Sequence, residues 1–337
     1  MNNSTERRLL VETGKELLEE GIVARTWGNT SCRVDEEHCL ITPSGLDYMQ
    51  TKEEDIALLD LNTGEWEGRR KPSGERGVHI AAYRQFPEVG FVIHTHQNYA
   101  TAIGLTGIDA LQITEEEKKQ LGGLGEAAYG LPGMKKLTDA VDHVLQQGIH
   151  TVLMVHHGVL VCGRDKQQAM ERVRLLEAIC ERNICASYLQ STSQEAEKPA
   201  GVAAKALAGF LQKEYGHAEV FRSPAVDACL EQGKAVRAQV DDMAQMIGAK
   251  IPVAKDLSDA EHMLKKYSAV LVPECGAAIR AETEDDLHAL KLLVDKACLC
   301  AVHTRAAGKE KKLSGIDVTL MHVVYLKKYS KQKDQEA

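Results

Sequence analysis

The chain has 337 residues, about twice the usual size of one domain, so two domains are expected. Its composition, with 44% hydrophobic and 27% charged residues, is that of a globular protein, and the formal net charge of −8 excludes the basic footprint of a nucleic-acid-binding protein. Residues 1–21 contain no apolar run long enough for a signal peptide or a membrane span, and the nine cysteines form no CxxC pair. We therefore expect a cytoplasmic protein with reduced, structural cysteines and no membrane or nucleic-acid partner.

The predicted elements of the first half alternate between helix and strand. Leucine spacing predicts an amphipathic helix over residues 5–20, and the strand-like runs TSCRVD and HCLIT follow it. After a further helix, the β-branched run FVIHTH at 91–96 predicts a buried strand. Residues 151–163 predict two strands around a tight turn at Gly158, and a helix follows. The order of these elements indicates an α/β protein.

The polar segment LQSTSQEAEKPAG has the composition of a linker and separates two halves of the chain. The last residues are charged and are predicted to be frayed. We expect four regions: a catalytic domain at 1–192, a linker at 193–201, a smaller α/β domain at 202–330 and a tail at 331–337.

The second half repeats part of the first half. TVLMVHHG at 151–158 aligns without gaps on AVLVPECG at 269–276. A less secure alignment, which requires a shorter intervening loop, places 91–101 on 219–229. Under these alignments His94, His96 and His157 are replaced by Arg222, Pro224 and Cys275. The second half is therefore predicted to be a decayed copy without metal ligands; the alternative is a chance likeness between two strand-turn-helix units.

Two histidines mark a candidate metal site. His94 and His96 are two residues apart on a predicted strand, so their side chains project to the same side. Catalytic zinc prefers histidine and carboxylate ligands and leaves one position open, whereas structural zinc is usually closed by cysteines. A single HxH pair also occurs among packed histidines, so the assignment depends on the motifs around it.

Five motifs occur in a fixed order, namely WGNTS at 27–31, ITPSG at 41–45, KPSGE at 71–75, HTHQNYAT at 94–101 and VHHG at 155–158. Together they closely resemble the class II aldolase/adducin family over about residues 5–190 of this chain. The family includes sugar-phosphate aldolases, an epimerase and the non-enzymatic head domain of adducin. The resemblance implies an α/β fold with a central β-sheet flanked by helices.

The resemblance also implies a ligand set for one divalent metal ion, usually Zn²⁺, per chain. The two histidines of HxH and the histidine that precedes glycine hold the metal in this family, which here means His94, His96 and His157, with His156 as a neighbour. Glu75, which ends the PSGE motif, corresponds to a resting ligand that is also the catalytic acid/base of the aldolases. The epimerases typically carry aspartate there, so Glu75 favours aldol chemistry.

The phosphate-binding residues of the family correspond to Asn29, Ser44, Gly45 and Ser73. Small polar residues and turns can direct several N–H and hydroxyl donors at one anion. The alternative interpretation is ordinary turn chemistry, because the same residue types are common in loops.

The chain departs from the fuculose phosphate aldolases at two places. Gly74 stands where those enzymes have a second serine, a loss for which Lys71 is a possible substitute. The stretch IDALQITEEE lacks the tyrosine that protonates the leaving aldehyde, so the acid for that step is unidentified. Tyr129 matches another family tyrosine near the substrate entrance and is equally explained as a packed aromatic. Tyr325 and Tyr329 lie beyond the resemblance and are weaker candidates.

The sequence thus predicts a zinc-dependent aldolase that cleaves a ketose 1-phosphate to dihydroxyacetone phosphate and an aldehyde. One alternative is a sugar-phosphate 4-epimerase or a sugar-acid phosphate decarboxylase on the same metal site. A second alternative is a non-catalytic interaction module like adducin's head. The family further implies a homo-oligomer with the active site near a subunit or domain interface.

Overall fold

The structure of the chain, a computed structural model, describes residues 3–184 and 201–336. It divides into two units, Met1–Asn183 and Ile184–Ala337. The predicted linker lies, apart from Gly201, outside the described residues, and so does the side chain of Tyr329. In the described part of the chain, every helix is too short or too polar to cross a membrane.

The first unit contains eight strands and six α-helices. Its strands are β1 (Asn29–Arg33), β2 (His38–Ile41), β3 (Ala57–Asp60), β4 (Trp66–Glu67), β5 (Phe91–Thr95), β6 (Leu124–Ala127), β7 (Thr151–Met154) and β8 (Gly158–Gly163). Its helices are α1 (Ser4–Glu19), α2 (Arg76–Gln85), α3 (Asn98–Gly104), α4 (Glu115–Gln120), α5 (Lys135–Leu145) and α6 (Lys166–Ile184). The strands form one sheet in the order β4-β3-β2-β1-β5-β8-β7-β6, in which only β6 and β7 pair in parallel.

Helices cover the central strands of this sheet. The strands β5, β7 and β8 are buried along their whole length, as their apolar runs predict. A core cluster joins Val92 and Leu160 of these strands to Val78 of α2 and Val141 of α5. Burying each such side chain contributes roughly 1.5–3 kcal/mol. The predicted α/β fold with a helix-flanked central sheet is confirmed.

The second unit contains five strands and six α-helices in its described residues. Its strands are β9 (His217–Phe221), β10 (Val236–Arg237), β11 (Lys250–Ile251), β12 (Ala269–Val272) and β13 (Gly276–Ala281). Its helices are α7 (Val202–Glu214), α8 (Pro224–Gln232), α9 (Asp241–Met246), α10 (Leu257–Leu264), α11 (Glu284–Ala306) and α12 (Gly315–Glu336). The last helix therefore extends through the segment predicted to be a tail, up to Glu336.

Two hairpins, one in each unit, have the same register. In the hairpin β7–β8, Met154 pairs with Gly158, and in the hairpin β12–β13, Val272 pairs with Gly276. A third strand is added antiparallel on the same side of each hairpin, β5 beside β8 and β9 beside β13. This register agrees with the gap-free alignment of 151–158 on 269–276.

The second alignment was wrong by two residues. Thr95 pairs with Val159, and Phe221 pairs with Ala277, so that Phe221 takes the place of Thr95. The alignment failed because the length of the intervening loop cannot be read from the sequence, whereas hydrogen-bond register fixes the correspondence. The corrected counterparts of His94 and His96 are Val220 and Arg222 instead of Arg222 and Pro224.

Two glycines support the corrected correspondence. A Cβ atom at Gly158 would clash with the backbone oxygen of Thr95, and a Cβ atom at Gly276 would clash with that of Phe221. The described residues of the second unit contain no counterpart of the meander β1–β4, which extends the sheet beyond β5 in the first unit. The strand order β9-β13-β12 of the second unit thus matches the strand order β5-β8-β7 of the first sheet.

The cysteines of the described residues are free and buried at eight positions. Cys185 lies outside the described residues. Burial raises the pKa of thiols such as Cys32 and Cys162 to about 12, which keeps them protonated and unreactive. These eight side chains serve as small apolar groups, as their sequence surroundings predict.

Replacing Gly276 with alanine is expected to lower the thermal unfolding midpoint, because its φ of 116° and the facing Phe221 oxygen both exclude a side chain. Strain of this kind costs on the order of 2 kcal/mol. The matched control is Gly209→Ala in α7, where a Cβ atom meets nothing within 4 Å. Alanine should raise the midpoint there, since it favours helix by about 0.5–1 kcal/mol. Equal midpoints for the two variants would contradict the assignment of a glycine-dependent turn.

Candidate metal centre

Three segments of the first unit bring the predicted ligands together. The strand β5 presents His94 near its end, and His96 follows directly. The turn between β7 and β8 carries His157, and β8 pairs with β5 along its length. Glu75 is the N-cap residue of α2. The four side chains form the one group of three or more potential metal-binding residues found among the described residues.

The donor atoms of these side chains converge on one point. The Nε2 atom of His94 lies 3.1 Å from Nε2 of His96 and 3.1 Å from Oε2 of Glu75. The Nε2 atom of His157 lies 2.7 Å from Oε1 of Glu75. One ligand atom from each of the four residues lies within 4.8 Å of the others. Ligand atoms of a tetrahedral zinc site are about 3.3 Å apart, given Zn–N distances near 2.05 Å.

A backbone contact sets the orientation of His94. Its Nδ1 atom lies 2.8 Å from the carbonyl oxygen of Val159, and because a carbonyl only accepts, Nδ1 carries the proton. The Nε2 atom is thereby directed to the centre, where it would offer its lone pair to a metal ion. Metal-binding histidines generally donate their other ring N–H in this way.

Electrostatics keep the Glu75 carboxyl ionised. Burial raises the pKa of this carboxyl, but the facing imidazoles of His94 and His157 outweigh burial and hold the pKa well below its usual range. The three histidines are at most 8% exposed, whereas the Glu75 side chain is 16% exposed. The carboxylate is therefore the most accessible of the four ligands.

The residues present fit a divalent metal ion. Three imidazole nitrogens and one carboxylate oxygen are the donor types that catalytic zinc prefers, and no cysteine belongs to the group. The lone pairs of His94 Nε2, His96 Nε2 and the Glu75 carboxylate would repel one another at such short separations. A cation or proton shared among these atoms removes the repulsion. The structure thus brings together all four ligands predicted from sequence.

The predicted phosphate-binding loops lie side by side near this centre. The backbone N–H of Ser44 donates to the carbonyl oxygen of Lys71 at 2.9 Å. The backbone N–H of Ser73 donates to the carbonyl oxygen of Thr42 at 3.1 Å. Gly45, with a φ of 70°, turns the chain after Ser44. The hydroxyl of Ser73 accepts the backbone N–H of Glu75 at 3.1 Å, which connects the second loop to the metal centre.

Asn29 lies on β1 directly opposite His94 on β5. Its side-chain nitrogen donates to Oε2 of Glu75 at 3.0 Å. The contact adds a positioning role to the phosphate-binding role predicted for this residue. Tyr129 packs edge-on against His156 with ring centroids 5.3 Å apart, while Tyr325 belongs to the second unit.

Sequence reasoning missed His79, which is fully buried and forms a hydrogen bond to the oxygen of Asn29. Burial, helped by the nearby His94 and opposed by Glu75, lowers the pKa of His79 to about 3. The available signal was its position four residues after Glu75, which places both on one face of a helix.

Comparisons with known proteins match the first unit to one family. The model of the class II aldolase and adducin N-terminal domain family matches residues 8–184. A 5-deoxy-D-ribulose 1-phosphate aldolase of Bacillus thuringiensis serovar kurstaki is 33% identical over 165 residues, which cover 49% of this chain and 77% of that protein. A 3-oxo-tetronate 4-phosphate decarboxylase of Haemophilus influenzae is 30% identical over 182 residues, which cover 52% of this chain and 86% of that protein. A solved L-fuculose 1-phosphate aldolase has a TM-score of 0.50 and 28% identity, over 62% of this chain and 96% of that chain.

Replacing His157 with asparagine is expected to abolish tight metal binding, because it removes one of three nitrogen ligands. The matched control is the neighbouring His156→Asn. His156 has a φ of 66°, a conformation that asparagine tolerates well, and its ring faces Tyr129. Titration with Zn²⁺ against a competing chelator should give one site per chain in the wild type and in the His156 variant. Loss of binding in the His156 variant alone would reassign the ligand.

Proposed function

The chain belongs to the class II aldolase and adducin N-terminal domain family, and on that premise we propose that it is a metal-dependent lyase of phosphorylated sugars. The proposed reaction is cleavage of a ketose 1-phosphate to dihydroxyacetone phosphate and an aldehyde. The observation that carries the proposal is Glu75, a partly exposed carboxylate at the fourth position of a three-histidine centre.

The metal site provides the electrophile of the proposed reaction. His94, His96 and His157 would hold a Zn²⁺ ion, which would supply positive charge to stabilise the negative charge that develops on the ketose oxygens during cleavage. We propose one such ion per chain, because the second unit has Val220, Arg222 and Cys275 at the corresponding positions. On this view residues 202–330 are a degenerate copy of the catalytic domain.

Glu75 has two roles in this proposal. It is a ligand at rest, as its contacts with His94 and His157 suggest. With substrate present, it moves aside and carries the proton that is added to or removed from the carbon next to the ketose carbonyl. A carboxyl group can both take up and release this proton, as a general acid/base requires.

The phosphate of the substrate would be held by the loops next to the metal centre. We propose Ser44, Gly45 and Ser73 as donors, together with Asn29, whose side chain lies beside Glu75. Because the backbone N–H groups of Ser44 and Ser73 already donate to carbonyl oxygens of the neighbouring loops, the two serines would donate through their hydroxyls. The bound phosphate then fixes the distance from the reacting carbons to Glu75.

A decarboxylase is the second candidate, since the relative from Haemophilus influenzae is 30% identical. Decarboxylation and aldol cleavage both break a carbon–carbon bond near a carbonyl and need the same electrophile. An epimerase is less favoured, because those family members typically have aspartate at the position of Glu75. A non-catalytic interaction module has no physical need for four converging metal ligands.

We also expect the protein to be cytoplasmic and to form a homo-oligomer.

The aldolase proposal predicts release of dihydroxyacetone phosphate from the zinc-loaded protein when it is given L-fuculose 1-phosphate or 5-deoxy-D-ribulose 1-phosphate. Release is measured through NADH-coupled reduction of the product. Parallel reactions with 3-oxo-tetronate 4-phosphate are monitored for carbon dioxide. Carbon dioxide from 3-oxo-tetronate 4-phosphate, whose other product is also dihydroxyacetone phosphate, together with no cleavage of either ketose 1-phosphate would select the decarboxylase. A purified protein without stoichiometric metal-binding capacity would contradict both enzymes.

A Glu75→Gln variant should bind zinc and lose at least about 100-fold in turnover, the usual contribution of a general acid/base. Glutamine retains an oxygen that can contact the metal but cannot carry the proton. Glu67→Gln, which changes an exposed carboxylate on β4, is the matched control and should keep full activity. Full turnover in the Glu75 variant would contradict the proposed mechanism.

A further inference from the structure

A chain of buried hydrogen bonds connects the core of the first unit to the carboxylate of Glu75. We propose that His79 is a positioning residue for Glu75, which acts by fixing the side-chain amide of Asn29. The proposal rests on the function proposed above for Glu75 as a metal ligand and proton carrier. It assigns a role to three further side chains of the first unit, His79, Ser31 and Tyr83.

The fold aligns two stripes of polar side chains against each other. On α2 and its N-cap, Glu75, His79 and Tyr83 follow at intervals of four residues and therefore share one helix face. On β1, Asn29 and Ser31 are two residues apart and project to the same face of the sheet. Each contact of the chain joins a member of one stripe to a member of the other.

The contacts run without interruption from Tyr83 to Glu75. The hydroxyl oxygen of Ser31 lies 2.9 Å from the Tyr83 hydroxyl and 2.7 Å from Nδ1 of His79. The Nε2 atom of His79 forms a hydrogen bond with Oδ1 of Asn29, and Nδ2 of Asn29 lies 3.0 Å from Oε2 of Glu75. The four side chains before Glu75 are at most 3% exposed. Water therefore does not compete for these contacts.

The contact between Asn29 and the oxygen of Glu75 orders the other hydrogen bonds of the chain. A carboxylate only accepts, so the amide nitrogen of Asn29 faces Glu75 and its oxygen faces His79. The Nε2 atom of His79 must then donate, which leaves Nδ1 of the neutral ring as an acceptor for the Ser31 hydroxyl. Ser31 in turn accepts from Tyr83. All donors thus point toward Glu75.

This direction gives the two oxygens of Glu75 different surroundings. Oε2 receives the N–H of Asn29 and lies near His94, whereas Oε1 lies near His157. Without a donor at His79, the buried amide oxygen of Asn29 loses its partner, and only the contact with Glu75 holds the amide in place. His79 therefore anchors the oxygen end of the Asn29 amide and holds its nitrogen against Glu75. The low pKa of His79 supports a neutral ring at neutral pH.

The first test compares His79→Leu with His79→Gln. Glutamine can place an N–H near the position of Nε2 and still donate to Asn29, whereas leucine fills the space without a donor. Zn²⁺ affinity, measured by chelator competition, should fall about tenfold in the leucine variant, a typical loss for a group that orients a metal ligand, and should be largely restored by glutamine. Wild-type affinity in the leucine variant, or equal losses in both variants, would overturn the proposal.

The second test asks whether His79 acts through Glu75. In a Glu75→Ala background the three histidines remain, and adding His79→Leu should change zinc affinity no further. An equal loss with and without Glu75 would show that leucine disturbs the histidines or the fold, and would contradict the proposal. Val78→Ala, a destabilising change at a buried position on the same helix, is the control and should keep wild-type zinc affinity.

A measurement on the unmutated protein tests the direction of the chain independently of folding defects. Two-bond ¹H–¹⁵N correlation spectra distinguish a protonated from an unprotonated ring nitrogen, and the His79→Gln variant identifies the signals. His79 should be the neutral tautomer with the proton on Nε2. A proton on Nδ1 would reverse the hydrogen bonds and refute the proposal.

Because none of these three tests measures turnover, an inactive protein with the expected zinc affinities would contradict the proposed reaction and retain the positioning role of His79.

Discussion

The contact between the Glu75 carboxylate and the imidazoles of His94 and His157 is the interaction on which the candidate metal centre depends. A carboxylate and three imidazoles in a buried site are costly unless a cation is shared among them. The pairing of β5 with β8 places the histidines, and the N-terminus of α2 supplies the carboxylate. Gly158 allows the backbone of Thr95 to approach the turn that carries His157.

The hairpin β12–β13 of the second unit has the same turn as β7–β8 but lacks the metal-binding side chains. Its hairpin keeps the register, and Gly276 gives the same clearance to the neighbouring strand. At the place of His96, however, Arg222 donates to Asp227 at 2.9 Å, which neutralises the charge within the unit. The turn geometry therefore arises from strand pairing and glycine and does not require metal ligands. The meander that carries Asn29 and leads to Ser44 in the first unit has no counterpart in the described residues 201–336.

Local patterns explain what could be predicted from the sequence. The HxH pair at the end of an apolar strand and the tight turn at Gly158 depend on neighbouring residues, and the structure places both as expected. The alignment of the second half failed where a loop of changed length separated the motifs. The hydrogen bonds of His79 were missed because they join residues about fifty positions apart, and such pairing depends on how α2 packs on β1. A buried polar residue in an amphipathic helix looks like an ordinary core position until its partners are known.

The central claim is that one metal-bound carboxylate, Glu75, also moves the proton next to the ketose carbonyl. Proton exchange of dihydroxyacetone phosphate in deuterated water tests this claim most directly, because it requires neither the aldehyde nor its identity. The zinc-loaded protein should exchange one of the two hydrogens on the hydroxymethyl carbon, observed by NMR, and the Glu75→Gln protein with equal zinc content should not. Absence of exchange in the wild type, or equal exchange in both proteins, would contradict the claim.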